Sequence, residues 1–315
     1  MFTLPDLKQK QIIFFDTTEI KGCKLTFNND SLVIGSDEKI LNKISIHKIL
    51  ALYVLGTTTM TTNIIKECTT HGISLFLLKN NMDCYASFQP IAEGNYVLKK
   101  IQYSTTEAKE FKYAQNIVQN KCDNQLRLLQ TRGLETKLDL DQIKKIKDDK
   151  VLLAFEGNLA KVFFQLYYQS VGWKTRAPRS KIDISNLLLD IGYTYLFNFV
   201  DSILRLFGFD TYKGVYHKLY FQRKSLACDL MEPFRFLIDR ALLKAYNLNQ
   251  IDPDDFELKD GTYTLNWRKS GKYSKFFLVA IMDNKEHIYT YLRRYYLHIM
   301  YPTKYNFPNY KLPLR

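Results

Sequence analysis

The sequence predicts an α+β protein: a small β-rich N-terminal domain, residues 1–92, followed by a larger all-α domain, residues 93–315. Before Pro90 the apolar residues come in short runs of strand length, separated by turn-forming residues. After Pro90 they recur at helical spacing, as in Ile101, Ala108, Phe111, Ala114 and Val118. A chain of 315 residues also exceeds what one hydrophobic core commonly supports, so two domains are expected.

Taken in order, "QIIFFD" reads as a strand, and "CKLTFNNDSLVIG" as two strands around a turn at Asn28-Asn29-Asp30. "ILALYVLG" has the unbroken apolar character of a buried strand. "TTTMTTNIIKECTTHG" predicts a helix with a threonine N-cap and Gly72 as its stop. "ISLFLLKNNMDCYASF" predicts a strand pair turning at Asn80-Asn81. Residues 95–130 follow as helix, and "LETKLDLDQIKKIKDDK" as an exposed helix or loop. The remaining helices are "VLLAFEGNLAKVFFQLYYQS", "NLLLDIGYTYLFNFVDSILRLFG", "RKSLACDLMEPFR" and "HIYTYLRRYYLHIM". The sequence has no internal repeat and no low-complexity segment.

The formal charge is +13, from 45 Lys and Arg against 32 acids, in a chain with 22 Tyr and 21 Phe. A basic, aromatic surface suits a polyanion, nucleic acid first. The five cysteines are scattered and form no C-x-x-C, which argues against a disulfide framework or a structural zinc site. Cys68-x-x-His71 is half a metal motif without a second half. No apolar run reads as a membrane span and no signal peptide opens the chain, so a cytoplasmic protein with no membrane partner is expected.

One acid stands in an apolar stripe. With "VLLAFEGNLAKVFFQLYY" as a helix, Leu152, Phe155, Leu159, Phe163, Leu166 and Tyr167 share a face, and Glu156 lies inside it. A carboxylate there costs several kcal/mol unless it is paired, protonated or metal-bound. Gly157 beside it costs a further ~1 kcal/mol in a helix interior, which makes sense if something must approach the backbone closely. Two simpler accounts stay open: a Lys or Arg partner, or a helix that starts later and leaves Glu156 near a favourable N-terminus.

In "RKSLACDLMEPFR" and the residues after it, Leu226, Ala227, Leu230, Met231, Phe234, Leu237 and Ile238 cover one face. Asp229 and Glu232 lie on the other, as a solvated polar face would have them. Pro233 complicates that reading, because it cannot donate to the Asp229 carbonyl and makes the turn irregular. His217 follows Gly208 and Gly214, in or just after a loop. A glutamate, a histidine and a further carboxylate suffice to bind Mg²⁺ or Mn²⁺, with water or substrate phosphate completing the shell.

The ordered set "FEGNLAKVFF", "GVYH" and "SLACDLMEPFR", spanning Glu156 to Arg235, resembles the CRISPR-associated Cas-one (Cas1) family. "ISNLLLDIGYTYL" between them resembles the family's Leu-rich helix with its Gly-Tyr. Ala154 stands where a glycine is frequent, and Val215-Tyr216 where Phe and an aliphatic residue are. The resemblance implies a metal-dependent DNA endonuclease and integrase of spacer acquisition, which joins a DNA 3′-hydroxyl to the CRISPR repeat. Its metal ligands fall on Glu156, His217 and Glu232, with Mg²⁺ or Mn²⁺ as the ion. Asp229 matches the family's other acid, in a supporting place. The implied partners are DNA, as spacer precursor and repeat, and the small Cas2 protein. The resemblance implies an asymmetric homodimer, with the N-terminal domain dimerising, that Cas2 would bridge into a larger complex.

DNA also requires cations outside the site. The candidates are Arg176, Arg179 and Lys181 with Lys174 in "WKTRAPRSK", and Arg223 with Lys224. The run "WRKSGKYSK" and Arg293-Arg294 are others. The alternative function is a non-catalytic nucleic-acid-binding scaffold subunit. A metal-independent RNase using His217 as general base is a third reading. A tyrosine recombinase using Tyr216 or Tyr220 lacks the Arg and His cluster it needs.

Overall fold

The computed structural model describes residues 10–17, 20, 22–36, 39–79, 84–88, 95–136, 139–173, 175–217, 223–265 and 269–314. The chain forms two compact units, Met1–Tyr96 and Val97–Arg315. The Asn80-Asn81 turn and Pro90 lie outside the described residues.

Among the described residues, the first unit holds two four-stranded sheets. Strands β1 (Gln11–Asp16), β5 (Ile49–Leu55) and β7 (Ser74–Leu78) run parallel, and β8 (Cys84–Phe88) closes the sheet antiparallel to β7. The second sheet has the order β4 (Ile40–Ser45), β3 (Ser31–Gly35), β2 (Lys24–Asn28), β6 (Thr59–Met60). The hairpin from β2 to β3 turns through Asn29 and Asp30, with φ of 47° and 52°, the left-handed pair that a tight hairpin needs. Helix α1 (Thr62–Thr70) ends before Gly72, as its sequence signals predict. Leu25 and Ile34 from one sheet, Leu52, Val54 and Leu75 from the other, and Ile64 of α1 share one core. No disulfide joins any of the five cysteines. His71, at the end of helix α1, turns Nδ1 to the Glu67 carbonyl at 2.9 Å.

The second unit is helical: α2 (Tyr96–Ser104), α3 (Glu107–Gln130), α4 (Asp149–Tyr167), α5 (Ile184–Phe207), α6 (Ser225–Met231), α7 (Arg235–Asn247), α8 (Ser270–Asp283) and α9 (Lys285–Met300). A 3₁₀ turn, Leu140–Lys145, occupies the charged segment. A hairpin, β9 (Phe256–Lys259) and β10 (Thr262–Leu265), interrupts the helices. Helix α5 is long and apolar enough to cross a membrane, contrary to the sequence expectation, but most of its apolar stretch is buried inside the protein. It is the central helix. A Cβ on Gly192 would come within 2.5 Å of Ile238 and 2.9 Å of Phe277, so this glycine lets α7 and α8 close on α5.

Two local features place the site. The Asp148 carboxylate caps α4 by accepting from the N–H groups of Lys150 and Val151, so Glu156 sits well inside the helix and not at its start. Pro233 breaks the path from α6 to α7 into a 3₁₀ turn, Glu232–Phe234. There the Asp229 carbonyl accepts from the Glu232 N–H instead. After α9 the chain returns along α3. Asn120 donates to the Tyr310 carbonyl at 2.6 Å. Asn124 donates to the Tyr310 and Pro233 carbonyls, both at 3.0 Å, and accepts from the Leu312 N–H at 2.8 Å. One buried amide thus ties α3, the 3₁₀ turn and the C-terminal strap together.

Candidate active site

A cleft of about 470 Å³ in the helical unit is lined by Lys121 of α3, Glu156 and Gly157 of α4, His217, Glu232 and Arg235, among others. Lys121 lies at its centre. Its ammonium pairs with Glu156 Oε1 and stands 2.7 Å from Glu232 Oε2. Arg235 holds the other oxygen of Glu232 at 2.9 Å. The Tyr216 hydroxyl donates to Glu156 Oε2 at 2.5 Å.

These charges are buried together. Burial alone would raise the Glu232 carboxyl, but Arg235 and Lys121 outweigh it and hold the group down at about 2. Burial would lower the Lys121 ammonium, yet Glu232 and Glu156 keep it above its ordinary value. Burial and then the Glu156 charge push the Tyr216 phenol far above its ordinary value, so it stays a donor. Of the two open accounts of Glu156, the cationic partner is the one realised.

Asp229 works from underneath. It is fully buried, not on a solvated face, and its carboxylate is encircled by the loop before α6. Oδ2 accepts from the N–H groups of Val215 at 2.7 Å and Tyr216 at 3.0 Å. Oδ1 accepts from the His217 N–H at 2.9 Å and lies 2.6 Å from its ring Nδ1. A carboxylate only accepts, so Nδ1 carries the proton and Nε2 is left as the ring's open nitrogen. Gly214 makes the wrap possible: a Cβ there would come 2.7 Å from Asp229 Oδ2. Glu232 is also buried, at 3 % exposure. The wheel put both acids on a solvated polar face, but the loop before α6 encloses Asp229, and Glu232 is buried against Lys121 and Arg235 at the cleft.

A second layer lies behind Arg235, whose guanidinium sits 4.6 Å over the Tyr193 ring. The Tyr193 hydroxyl donates to Asp239 Oδ1 at 2.5 Å. Burial pushes the Asp239 carboxyl up to about 7, against the opposing pull of Tyr193 and Arg235.

The family model for CRISPR associated protein Cas1 matches residues 19–277. The chain belongs to the Cas1 family. It is 29 % identical over 273 residues to the CRISPR-associated endonuclease Cas1 2 of Rhodospirillum rubrum, covering 78 % of each chain. Its fold matches a chain of a partial Cas6-RT-Cas1–Cas2 complex with a TM-score of 0.78, at 24 % identity over 96 % of this chain and all of that one. It also matches a casposase bound to integration product with a TM-score of 0.70, at 19 % identity over the same shares.

In this Cas1 chain the three expected ligands, Glu156, His217 and Glu232, line one cleft, with Asp229 behind His217. Among the described residues no three His, Cys, Asp or Glu side chains stand close enough to enclose a metal ion. The ammonium of Lys121 lies between the two glutamates instead. The donor set nevertheless suits a hard divalent cation: two carboxylates and an imidazole with an open nitrogen. Glu232 Oε2 is buried and makes no aligned hydrogen bond, although the ammonium is near.

The expected DNA cations differ among themselves. Arg176 lines the cleft, but it is bound to Asp190 at 2.5 Å and to Asn186 at 2.9 Å. Arg179 and Lys181 are exposed in left-handed backbone, with φ of 65° and 49°. Arg223 is half-buried beside Cys228, and Lys224 pairs with the buried Asp201 at 3.0 Å. Lys174, Tyr220, Trp267 and Arg268 lie outside the described residues. Sequence reasoning missed Lys121 and the pairing of Arg235. Lys121 had a signal, since it shares a helical stripe with Ala114, Ile117, Val118 and Leu128, all buried.

Proposed function

We propose that this protein is a metal-dependent DNA integrase and endonuclease of CRISPR spacer acquisition. It joins the 3′-hydroxyl of a captured DNA fragment to the CRISPR repeat by phosphoryl transfer. One observation carries this reading: two glutamates and an imidazole, oriented from behind by a buried aspartate, meet in one cleft of a Cas1-family chain.

Glu156, Glu232 and His217 Nε2 would hold the ion. Oxygen donors suit Mg²⁺ and Mn²⁺ alike, and the imidazole favours Mn²⁺. When bound, such an ion polarises a phosphoryl oxygen and offsets the charge of the transition state. The chain's own residues do the rest. Asp229 fixes the His217 tautomer and ring plane. Arg235 and Lys121 keep Glu232 ionised at any physiological pH. Lys121 also brings a positive charge to where a phosphate would enter. Tyr216 keeps its proton, which suits a donor to Glu156 and not a nucleophile. The attacking group is then the DNA 3′-hydroxyl itself, and the leaving group is the 3′-oxygen of the cut repeat strand. No covalent protein intermediate is required.

The folds of the Cas1–Cas2 complex and of the casposase bound to its product support DNA and a Cas2 protein as partners. The test uses Glu156→Ala and Glu232→Ala. Both should fold and lose Mn²⁺-dependent strand joining, and Mn²⁺ should raise the melting temperature of wild type more than that of Glu232→Ala. A folded Glu156→Ala protein that binds DNA and still joins strands would refute the catalytic assignment of Glu156, whereas a wild type that binds DNA and joins no strands would favour the scaffold reading.

A further inference from the structure

We propose that Gly157 is the point at which the DNA backbone rests on helix α4, so closely that a single methyl group would stand in its way. The inference deepens the integrase reading and rests on it for the identity of the ligand. Its observation is separate: a glycine that the protein itself does not need.

Glycine in a helix interior is costly relative to alanine, so a retained one has a reason in packing, in backbone conformation or in a ligand. Packing accounts for Gly192, where a Cβ would strike Ile238 and Phe277. Backbone conformation accounts for Gly72, Gly133, Gly172 and Gly261, which all have positive φ. Neither applies to Gly157. It lies mid-helix in α4, between Leu152 and Phe163 of the buried stripe, in ordinary helical backbone. A Cβ there would meet no protein atom within 4 Å. It is exposed, and it lines the cleft directly beside Glu156.

The remaining reason is an occupant of the cleft. Its chemistry follows from the wall on which Gly157 sits. Lys161, one turn along on the same side of α4, is exposed and lines the same cleft. Ala160 between them is small, and Lys121 and Arg235 face them from α3 and α7. Small residues bordered by cations suit a sugar–phosphate strand lying flat on the helix, with its phosphates toward the ammonium groups. The strand's scissile phosphate is then brought to Glu156 by the backbone of the next residue. Gly157 is a substrate-contact residue and takes no part in holding a metal.

Gly157→Ala and Gly157→Leu test this on the full-length protein. Three quantities are measured: melting temperature, the Mn²⁺-induced rise in that temperature, and affinity for a fluorescent duplex with single-stranded 3′-hydroxyl ends. Gly157→Ala should melt about 2–4 °C higher than wild type, because alanine is the better helix former and has free space. Its Mn²⁺ response should be unchanged. Its DNA affinity should fall about tenfold, and that of Gly157→Leu further. Strand joining should show a raised KM for DNA with a smaller change in kcat. Wild-type DNA affinity in a stabilised Gly157→Ala protein overturns the inference, as does a Gly157→Ala protein that melts lower or loses its Mn²⁺ response. If wild type neither responds to Mn²⁺ nor joins strands, the integrase reading fails, and the DNA affinities still decide the role of Gly157.

Discussion

Replacing Asp229 by asparagine removes one charge and almost no volume, and should disable the site from beneath. The carboxylate serves four donors: the N–H groups of Val215 and Tyr216 on Oδ2, and the N–H and ring Nδ1 of His217 on Oδ1. Asparagine has one oxygen. Whichever pair it keeps, its NH₂ points at the other pair. Hydrogen bonds to a charged group contribute about 1.5–3 kcal/mol each, so losing two costs about 3–5 kcal/mol after partial relaxation. The ring has one escape: moving its proton to Nε2 lets Nδ1 accept from the asparagine amide. That rescues a bond at the expense of the nitrogen facing the cleft. Two readouts should therefore fall together. Denaturant unfolding should show the stability loss, and calorimetric titration with Mn²⁺ should show at least a tenfold weaker affinity in the protein that remains folded. An Asp229→Asn protein with wild-type stability and wild-type Mn²⁺ affinity would refute the assignment of Asp229 as the residue that orients His217.

Lys121→Met leaves Glu156 and Glu232 buried without their shared cation, and should cost about 3–5 kcal/mol of stability. Mn²⁺ should restore part of it, so the metal-induced rise in melting temperature should exceed that of wild type; an equal rise would show that the ion does not use these carboxylates. Asn124→Ala breaks three hydrogen bonds and strands buried partners, for about 3–5 kcal/mol. It should also expose Lys311 to trypsin under native conditions, and an uncut strap would argue that Asn120 alone suffices. Asp239 sets a pH dependence. Its carboxyl is raised to about 7 in the fold, while an unfolded aspartate titrates near 4, so unfolding releases a proton between about pH 4 and 7. This group's contribution is therefore greatest below about pH 4, declines as pH rises to about 7 and is flat above. The melting temperature of Asp239→Asn relative to wild type should rise from pH 5 to pH 8, and a constant difference would count against the buried, protonated Asp239.

Much of the site was legible in the sequence because it violates local rules. Glu156 in an apolar stripe and Gly157 beside it were visible on a helical wheel alone. Lys121 breaks the same rule on α3, in line with Ala114, Ile117 and Leu128. What the sequence could not supply was the connection, since the two charges meet only when α3 packs on α4. Asp229 misled for a different reason. A wheel assumes that one side of a helix meets solvent, whereas the loop before α6 folds over Asp229 and α3 packs on Glu232, so a polar face became a buried network. The same limit applies to Arg176: the composition of a basic loop could not show its pairing with Asp190 on the helix that follows. The β9–β10 hairpin was written plainly, with Asp260-Gly261 between alternating residues, inside a stretch dominated by helical spacing.

The charges around the cleft lead to a last consequence. Glu156 and Glu232 contribute two negative charges, and Lys121 and Arg235 two positive ones, so these four groups balance one another. A divalent ion entering this neutral, buried group meets carboxylates that already have partners, and its affinity should be modest. A phosphodiester adds the missing negative charge and offers Lys121 an acceptor in place of the glutamates. Metal and DNA should then favour each other, and linkage requires the two enhancements to be equal. A coupling of about 1–3 kcal/mol, the usual range between interacting sites, corresponds to Mn²⁺ affinity raised about 5- to 150-fold by saturating DNA, with the same factor for DNA raised by Mn²⁺. Titrating each ligand in the absence and presence of the other measures both sides of the cycle. Factors near one would mean that Lys121 and Arg235 keep their carboxylates when DNA arrives, and that the ion binds elsewhere than between Glu156 and Glu232.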